Sequence, residues 1–196
     1  MTVLEKAEDY IFADGSNKIV SVSTDINVIE DGAFCGVKDI EEIIIPEEVK
    51  EIGSWAFYEC SSLSKVKLHT DINFIGENAF LDTDFYWNSE NWQDGVLYLN
   101  DCLIKATETV NETYFIKDGT RLIAQGAFRG CTQLERVYIP ESVEKICDSA
   151  FNDCENLKAI YGGMDTAAEK YAKGNGIKFI AVSYTHLRAH ETSQDL

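Results

Sequence analysis

Proline is nearly absent from this chain: its 196 residues carry only Pro46 and Pro140, which excludes a proline-rich linker. No run approaches the roughly 20 apolar residues that a membrane-crossing helix requires. Hydrophobic residues nonetheless make up 45% of the chain, enough for one sizeable domain or a small array. Basic residues are scarce, 17 against 34 acidic ones, and the net charge of −17 is spread along the chain. Such a surface repels phosphate backbones and anionic bilayers, so neither nucleic-acid binding nor membrane insertion is expected. Its plain consequence is solubility. Acid pairs such as Glu41-Glu42 and Glu47-Glu48 lack the Asp-x-Asp-x-Asp-Gly loop that would fix calcium ligands.

Catalytic signatures are missing as well. The chain has no Gly-x-Ser-x-Gly nucleophile elbow, no Gly-x-x-x-x-Gly-Lys phosphate loop and no Gly-x-Gly-x-x-Gly turn. Cys-x-x-Cys is absent, so zinc has weak support. Carboxylate pairs say little in so acidic a chain. No catalytic residue, cofactor or metal ligand is assigned, and an enzyme is not expected. The amino terminus, Met-Thr-Val-Leu-Glu-Lys-Ala-Glu-Asp, lacks the basic and apolar regions of a signal peptide. Either the native start lies upstream or the protein stays in the cytosol.

What the chain does have is a period. Ala-Phe recurs at Ala33-Phe34, Ala56-Phe57, Ala79-Phe80, Ala127-Phe128 and Ala150-Phe151, with spacings of 23, 23, 48 and 23 residues. Five residues before each Phe stand Ile29, Ile52, Ile75, Ile123 and Ile146. Twelve before are Val22, Ile45, Leu68, Ile116 and Ile139, and fourteen before are Val20, Ile43, Val66, Tyr114 and Val137. Seventeen before, Ile40, Leu63 and Leu134 keep the phase, while Asn17 and Asn111 do not. The two-residue alternation predicts a short strand with positions −14 and −12 inward. The Ile-x-x-x-Ala-Phe stretch predicts a short helical or 3₁₀ turn with its apolar face inward. One strand and one turn cannot bury that face alone, but stacked copies can. The fold class expected is an α/β repeat, a solenoid with a parallel strand ladder.

Segments such as Ile45-Pro46 through Ala56-Phe57 and Cys60, and Ile139-Pro140 through Ala150-Phe151 and Cys154, resemble the BspA-like leucine-rich repeat. The resemblance covers roughly residues 17–182. It implies a bacterial or protist surface protein engaged in adhesion, hence a cell-surface location, a protein ligand and no cofactor. A monomer is expected. The alternative is an intracellular scaffold or structural repeat protein.

The repeat also places the cysteines. Cys60, Cys131 and Cys154 follow the repeat Phe by three residues, Cys35 follows by one, and Cys147 takes the place held by Gly53 and Gly76. Buried structural thiols are the preferred reading, and a Cys131–Cys154 bridge, one repeat apart, stays open.

Residues 1–16 read as an N-terminal edge or partial cap, and 17–182 as one solenoid. The double-length interval, about 81–113, reads as a degenerate repeat carrying a β-hairpin turned at Asn100-Asp101, an insert also common among the proteins it resembles. Residues 161–182 read as a helix-strand cap, with Asp165 or Thr166 starting the helix and Gly174 or Gly176 ending it. Residues 183–196 resemble the peptide obtained when sequencing-adaptor DNA is translated in metagenomic gene models. They are treated as a non-native, disordered tail, so His186 and His190 are not read as a metal pair. His69 stands where two other repeats have proline and is expected on the rim.

With −14 and −12 inward, position −13 faces outward. That row is Ser21, Ile44, Lys67, Phe115 and Tyr138, flanked at −15 by Glu42, Lys65 and Arg136. Apolar and aromatic residues beside charged ones are typical interface anchors, so these are the candidate partner-binding residues. Trp55, Trp87 and Trp92 form a second candidate patch, of which Trp87 and Trp92 are expected to bury against the insert.

Overall fold

A computed structural model describes residues 2–4, 11–12, 18–69 and 71–182. The chain winds as a solenoid in which a regular coil contributes a three-residue strand, a two-residue strand and a tight turn. The three-residue strands Ile19–Ser21, Glu42–Ile44 and Lys65–Lys67 stack in parallel, with Ile11–Phe12 added antiparallel at the outer edge. The shorter strands Val3–Leu4, Val28–Ile29, Glu51–Ile52 and Phe74–Ile75 form a second parallel ladder. Beyond the insert the pattern resumes. Thr113–Phe115, Arg136–Tyr138, Ala159–Gly162 and Phe179–Ala181 form one ladder, while Leu122–Ile123 and Lys145–Ile146 continue the other.

Every inward position expected from the period lies in one contiguous apolar cluster or packs against it. Val20, Ile43 and Val137 at −14, and Ile29, Ile52, Ile75 and Ile123 at −5, are fully buried. Ile146 is only partly covered, because its strand is the last of its ladder. Phe34, Phe57 and Phe80 stack with centroids 5.1 and 5.3 Å apart, and Phe128 stacks on Phe151 at 4.8 Å. Each column ends on an edge-to-face ring, Phe85 against Phe80 and Tyr171 against Phe151.

The Ala-Phe turn shows how consecutive peptide groups divide their hydrogen bonds. The N–H groups of Ala33, Cys35 and Val37 close 3₁₀-type bonds to Glu30, Gly32 and Phe34. Those of Gly32, Phe34 and Gly36 cross instead to the carbonyls of Ser54, Ala56 and Tyr58 in the next coil. The alternation requires left-handed backbone two residues before and after the Phe. Gly32, Trp55, Asn78, Gly126 and Ser149 supply the first, with φ between 53 and 66°, and Gly36, Glu59, Asp82, Gly130 and Asp153 the second. No regular helix can run through such a turn, so turn and strands alike bond to the neighbouring coil.

The insert interrupts both ladders. Thr83, fully buried, caps the short helix Asp84–Trp87 by accepting from the Tyr86 N–H. The hairpin of Val96–Leu99 and Cys102–Ala106 turns at Asn100-Asp101 as expected, with Asn100 left-handed at φ 54°. A third strand, Trp92–Gln93, pairs antiparallel to Val96-Leu97 through Asp94-Gly95, whose φ values of 50 and 78° are those of a tight hairpin turn. Cys102-Leu103 then lies parallel to Leu122-Ile123, the place that Phe74–Ile75 would otherwise take. Direct links still cross the interruption: the Gln125 N–H donates to Ile75 and Arg121 Nη2 donates to the Ile72 carbonyl.

At the far end, the helix Ala167–Gly174 covers the last coil with Ala168, Tyr171 and Ala172 buried. Thr166 occupies the N-cap, yet its hydroxyl donates to the Gly163 carbonyl; Glu169 reaches back to the Asp165 N–H. Asn175 is the C-cap, and Gly176 follows at φ 68°. The expectations for residues 183–196, including His186 and His190, and for Asn17 lie outside the described residues.

Candidate interaction face

Along each long ladder, the residue between the two inward positions does point outward. In the first ladder Ser21, Ile44 and Lys67 are in register, with Ile19, Glu42 and Lys65 one pleat earlier. Lys67 Nζ reaches across the rung to Glu42 Oε1 at 2.6 Å. Ile44 is half-buried and Lys65 exposed. In the second ladder the register runs Phe115, Tyr138, Tyr161 and Ile180, flanked by Thr113, Arg136 and Ala159.

The expected single row is therefore two rows on two sheets. Ser21, Ile44 and Lys67 lie on one, and Phe115 and Tyr138 on the other, because the hairpin enters between them. Its tip meets the end of the first sheet, where Asn100 Nδ2 donates to the Leu68 carbonyl. Its Tyr98 hydroxyl lies 3.3 Å from that of Tyr114 beneath the second row. Tyr161 and Ile180 were assigned to the cap by sequence and were missed. Adding one 23-residue step to Tyr138 gives Tyr161, so the signal was present.

The three aromatic rings form a continuous stack. Phe115 and Tyr138 have centroids 4.3 Å apart and planes 12° apart; Tyr138 and Tyr161 follow at 4.4 Å and 20°. Their faces are used against one another, so what they offer outward is ring edges and two phenol hydroxyls. Burial, with Tyr161 alongside, raises the Tyr138 phenol above its ordinary range. Arg136 Nη1 donates to Thr113 Oγ1 at 3.3 Å and Nη2 lies 3.5 Å from Glu135. Glu135 also pairs with Lys158, whose hydrogen bond holds that carboxyl below its usual range. This sheet thus carries a rigid aromatic ridge bordered by compensated charges.

The other candidates divide. Trp87, expected to bury, is 67% exposed at the end of its helix, and Trp92 is half-buried with its Nε1 donating to the Tyr86 carbonyl. Phe85 takes the buried side of this helix, and Trp87, two residues on, falls on the opposite side. Trp55 is 48% exposed. All six cysteines are free, Cys131 and Cys154 included; Cys60, Cys102, Cys131 and Cys147 are buried, whereas Cys35 is exposed. His69 is held on the rim, its Nε2 3.0 Å from the Val49 carbonyl and its Nδ1 accepting from the Asp71 N–H. A polar crevice of about 270 Å³ lies among Lys50, Asp71, Asn73, Arg121 and Glu144. Its cations already pair with carboxylates, Lys50 with Asp71 and Arg121 with Asp101 and Glu144. Among the described residues, no group of three or more His, Cys, Asp or Glu is placed to hold a metal ion, and no helix is long and apolar enough to cross a membrane.

Stacked coils of this period, with inward isoleucines and an Ala-Phe turn, define a leucine-rich-repeat solenoid. The model for the BspA type leucine rich repeat region matches six copies over residues 5–88 and 106–167, and the chain belongs to that family. No curated protein matches it. Among solved structures it is similar to a leucine rich repeat protein of T. pallidum, at 20% identity over 78% of this chain and 67% of that one, with a TM-score of 0.36. A leucine rich cell surface protein of Faecalibacterium prausnitzii shares 23% identity over 86% of this chain and 40% of its own, TM-score 0.38. The pneumococcal vaccine antigen PcpA shares 19% over 82% and 58%, TM-score 0.34. The chain thus spans between 40% and 67% of these proteins' lengths. At such scores, membership rests on the repeat register and the family model.

Proposed function

We propose that this chain is a non-catalytic protein-binding module of a cell-surface adhesion protein, with the outward face of its long strand ladders as the binding surface. The observation that carries the reading is the Phe115–Tyr138–Tyr161 ridge, set on a sheet whose every strand is fixed by its neighbours. A preformed surface orders few groups on binding, and aromatic anchors with charged neighbours supply most interface energy. Membership of a family with a cell-surface structural neighbour supports the location. Glu42, Ile44, Lys65 and Lys67 on the first sheet, and Arg136 on the second, would set specificity around the ridge.

The test is binding of the purified chain to an array of extracellular host proteins, repeated with Tyr138→Asp/Tyr161→Asp. Loss of a saturable interaction in the double variant supports the ridge. An unchanged interaction removes it.

The unbridged cysteines favour a second reading, an intracellular scaffold, since thiols persist in reducing compartments. The genomic sequence upstream of Met1 separates the two. A secretory signal in frame supports surface display, and an in-frame stop supports the scaffold.

A further inference from the structure

The insert presents a second surface of different chemistry. Trp87 and Trp92 each meet Tyr86 edge-to-face, at 5.1 Å and 83° and at 5.2 Å and 89°. The cluster is held rigidly. Thr83 caps the helix, Asn91 Nδ2 donates to the Phe85 carbonyl at 2.8 Å, and the Trp92 indole N–H is taken up by Tyr86. Trp87 remains 67% exposed on this fixed base, one of three large exposed apolar side chains among the described residues. Nothing in the helix requires an indole at that point, since the buried face is supplied by Phe85.

Within its own segment the insert carries charge of one sign, and a cation from outside it, Lys117, places Nζ 5.8 Å from the Tyr98 ring of the hairpin. From Leu81 to Ile104 the chain carries Asp82, Asp84, Glu90, Asp94 and Asp101 and no Lys or Arg. Asp101 pairs with Arg121, but Asp82, Asp84, Glu90 and Asp94 enter no ion pair among the described residues. The strand face differs, for there Lys67 is matched by Glu42 and Lys158 by Glu135. Indole faces attract cations through the ring quadrupole, and unpaired carboxylates around them add Coulomb attraction. Anions and neutral apolar segments gain neither.

We propose that the Tyr86–Trp87–Trp92 cluster binds a basic segment of a protein partner, with an arginine or lysine side chain lying over the exposed Trp87 ring. The rigid base means that little side-chain freedom is lost on binding. The site extends the reading of the chain as a protein-binding module but does not use the strand face.

Calorimetric titration with an acetylated hexa-arginine peptide, at an ionic strength of about 0.15 M, tests it. Wild type is expected to bind saturably, Trp87→Ala to bind at least about fivefold more weakly, and Glu90→Gln to bind more weakly with a shallower salt dependence. Trp55→Gly, which removes the other exposed indole and places the residue found at positions 32 and 126, is expected to bind as wild type does. Absence of binding by wild type, or equal affinity in Trp87→Ala, overturns the proposal. Equal weakening in Trp55→Gly overturns it too, as that result would mean that any exposed indole serves as well as the Trp87 cluster. None of these outcomes touches the strand-face reading, which fails only by its own test.

Discussion

The Cys60 thiol donates to the carbonyl oxygen of Phe34, one coil away, at 2.9 Å. The same bond recurs between Cys154 and Phe128 at 3.0 Å, so the position three residues after the repeat Phe serves to join successive turns. Cys131 uses the Thr107 carbonyl instead, because the insert supplies the coil beneath it.

Thiol reactivity should follow this placement. Cys35 is exposed, while Cys60, Cys102, Cys131 and Cys147 are buried. With a chromogenic disulfide reagent at neutral pH, Cys35 is expected to react at once and those four only on unfolding. Immediate reaction of four or more thiols would contradict the packing.

Alkaline pH should destabilise the fold. Burial raises the thiols of Cys60 and Cys131 to about 12 and that of Cys154 to about 11, and pushes Cys102 and Cys147 up as well. In the unfolded chain they ionise near about 8.5. Between these limits the native state binds more protons, so stability falls as pH rises past that point. The loss amounts to at most about 1.4 kcal/mol per pH unit for each thiol. Lys105, whose burial lowers its pKa, works in the opposite sense but is a single group. Urea midpoints are expected to drop steadily from pH 8 to pH 11; a flat profile would contradict the assignment.

Gly76 tests the spacing of the coils. A Cβ there would lie 2.3 Å from the Ser54 amide nitrogen, which is itself held by the Asp31 carboxylate at 2.6 Å. Gly76→Ala is expected to cost about 1–3 kcal/mol by overpacking. Gly174 meets nothing within 4 Å, and Gly174→Ala should be neutral or slightly stabilising. Equal stability of the two variants in urea would show that the coils are not in this contact.

Much of this architecture could be read from the period because stacking makes the same demand of every coil. Val20, Ile43 and Val137 are buried for one reason, repeated. Where the demand is not repeated, the reading failed. Trp87 belongs to the insert, where no register says which side of the chain is covered; Trp92, in the same insert, does pack against the core as expected. The Asp94-Gly95 turn is a strong local hairpin signal, but the strand before it, Trp92–Gln93, is two residues long and has no apolar run of its own. Tyr161 lacks the mark of the others in its row, a repeat Phe thirteen residues later, because the last coil has none. The division of the outward row between two sheets depends on where the hairpin enters, a tertiary fact that spacing does not contain.

The most direct test of the central claim is binding of the wild-type chain and its Tyr138→Asp/Tyr161→Asp variant to a protein that the wild-type chain selects from the extracellular array. Circular dichroism serves to show that both are folded. The account predicts that the variant keeps its fold and loses at least about tenfold in affinity, the scale on which interface anchors act. A folded variant that binds as tightly as wild type would contradict it.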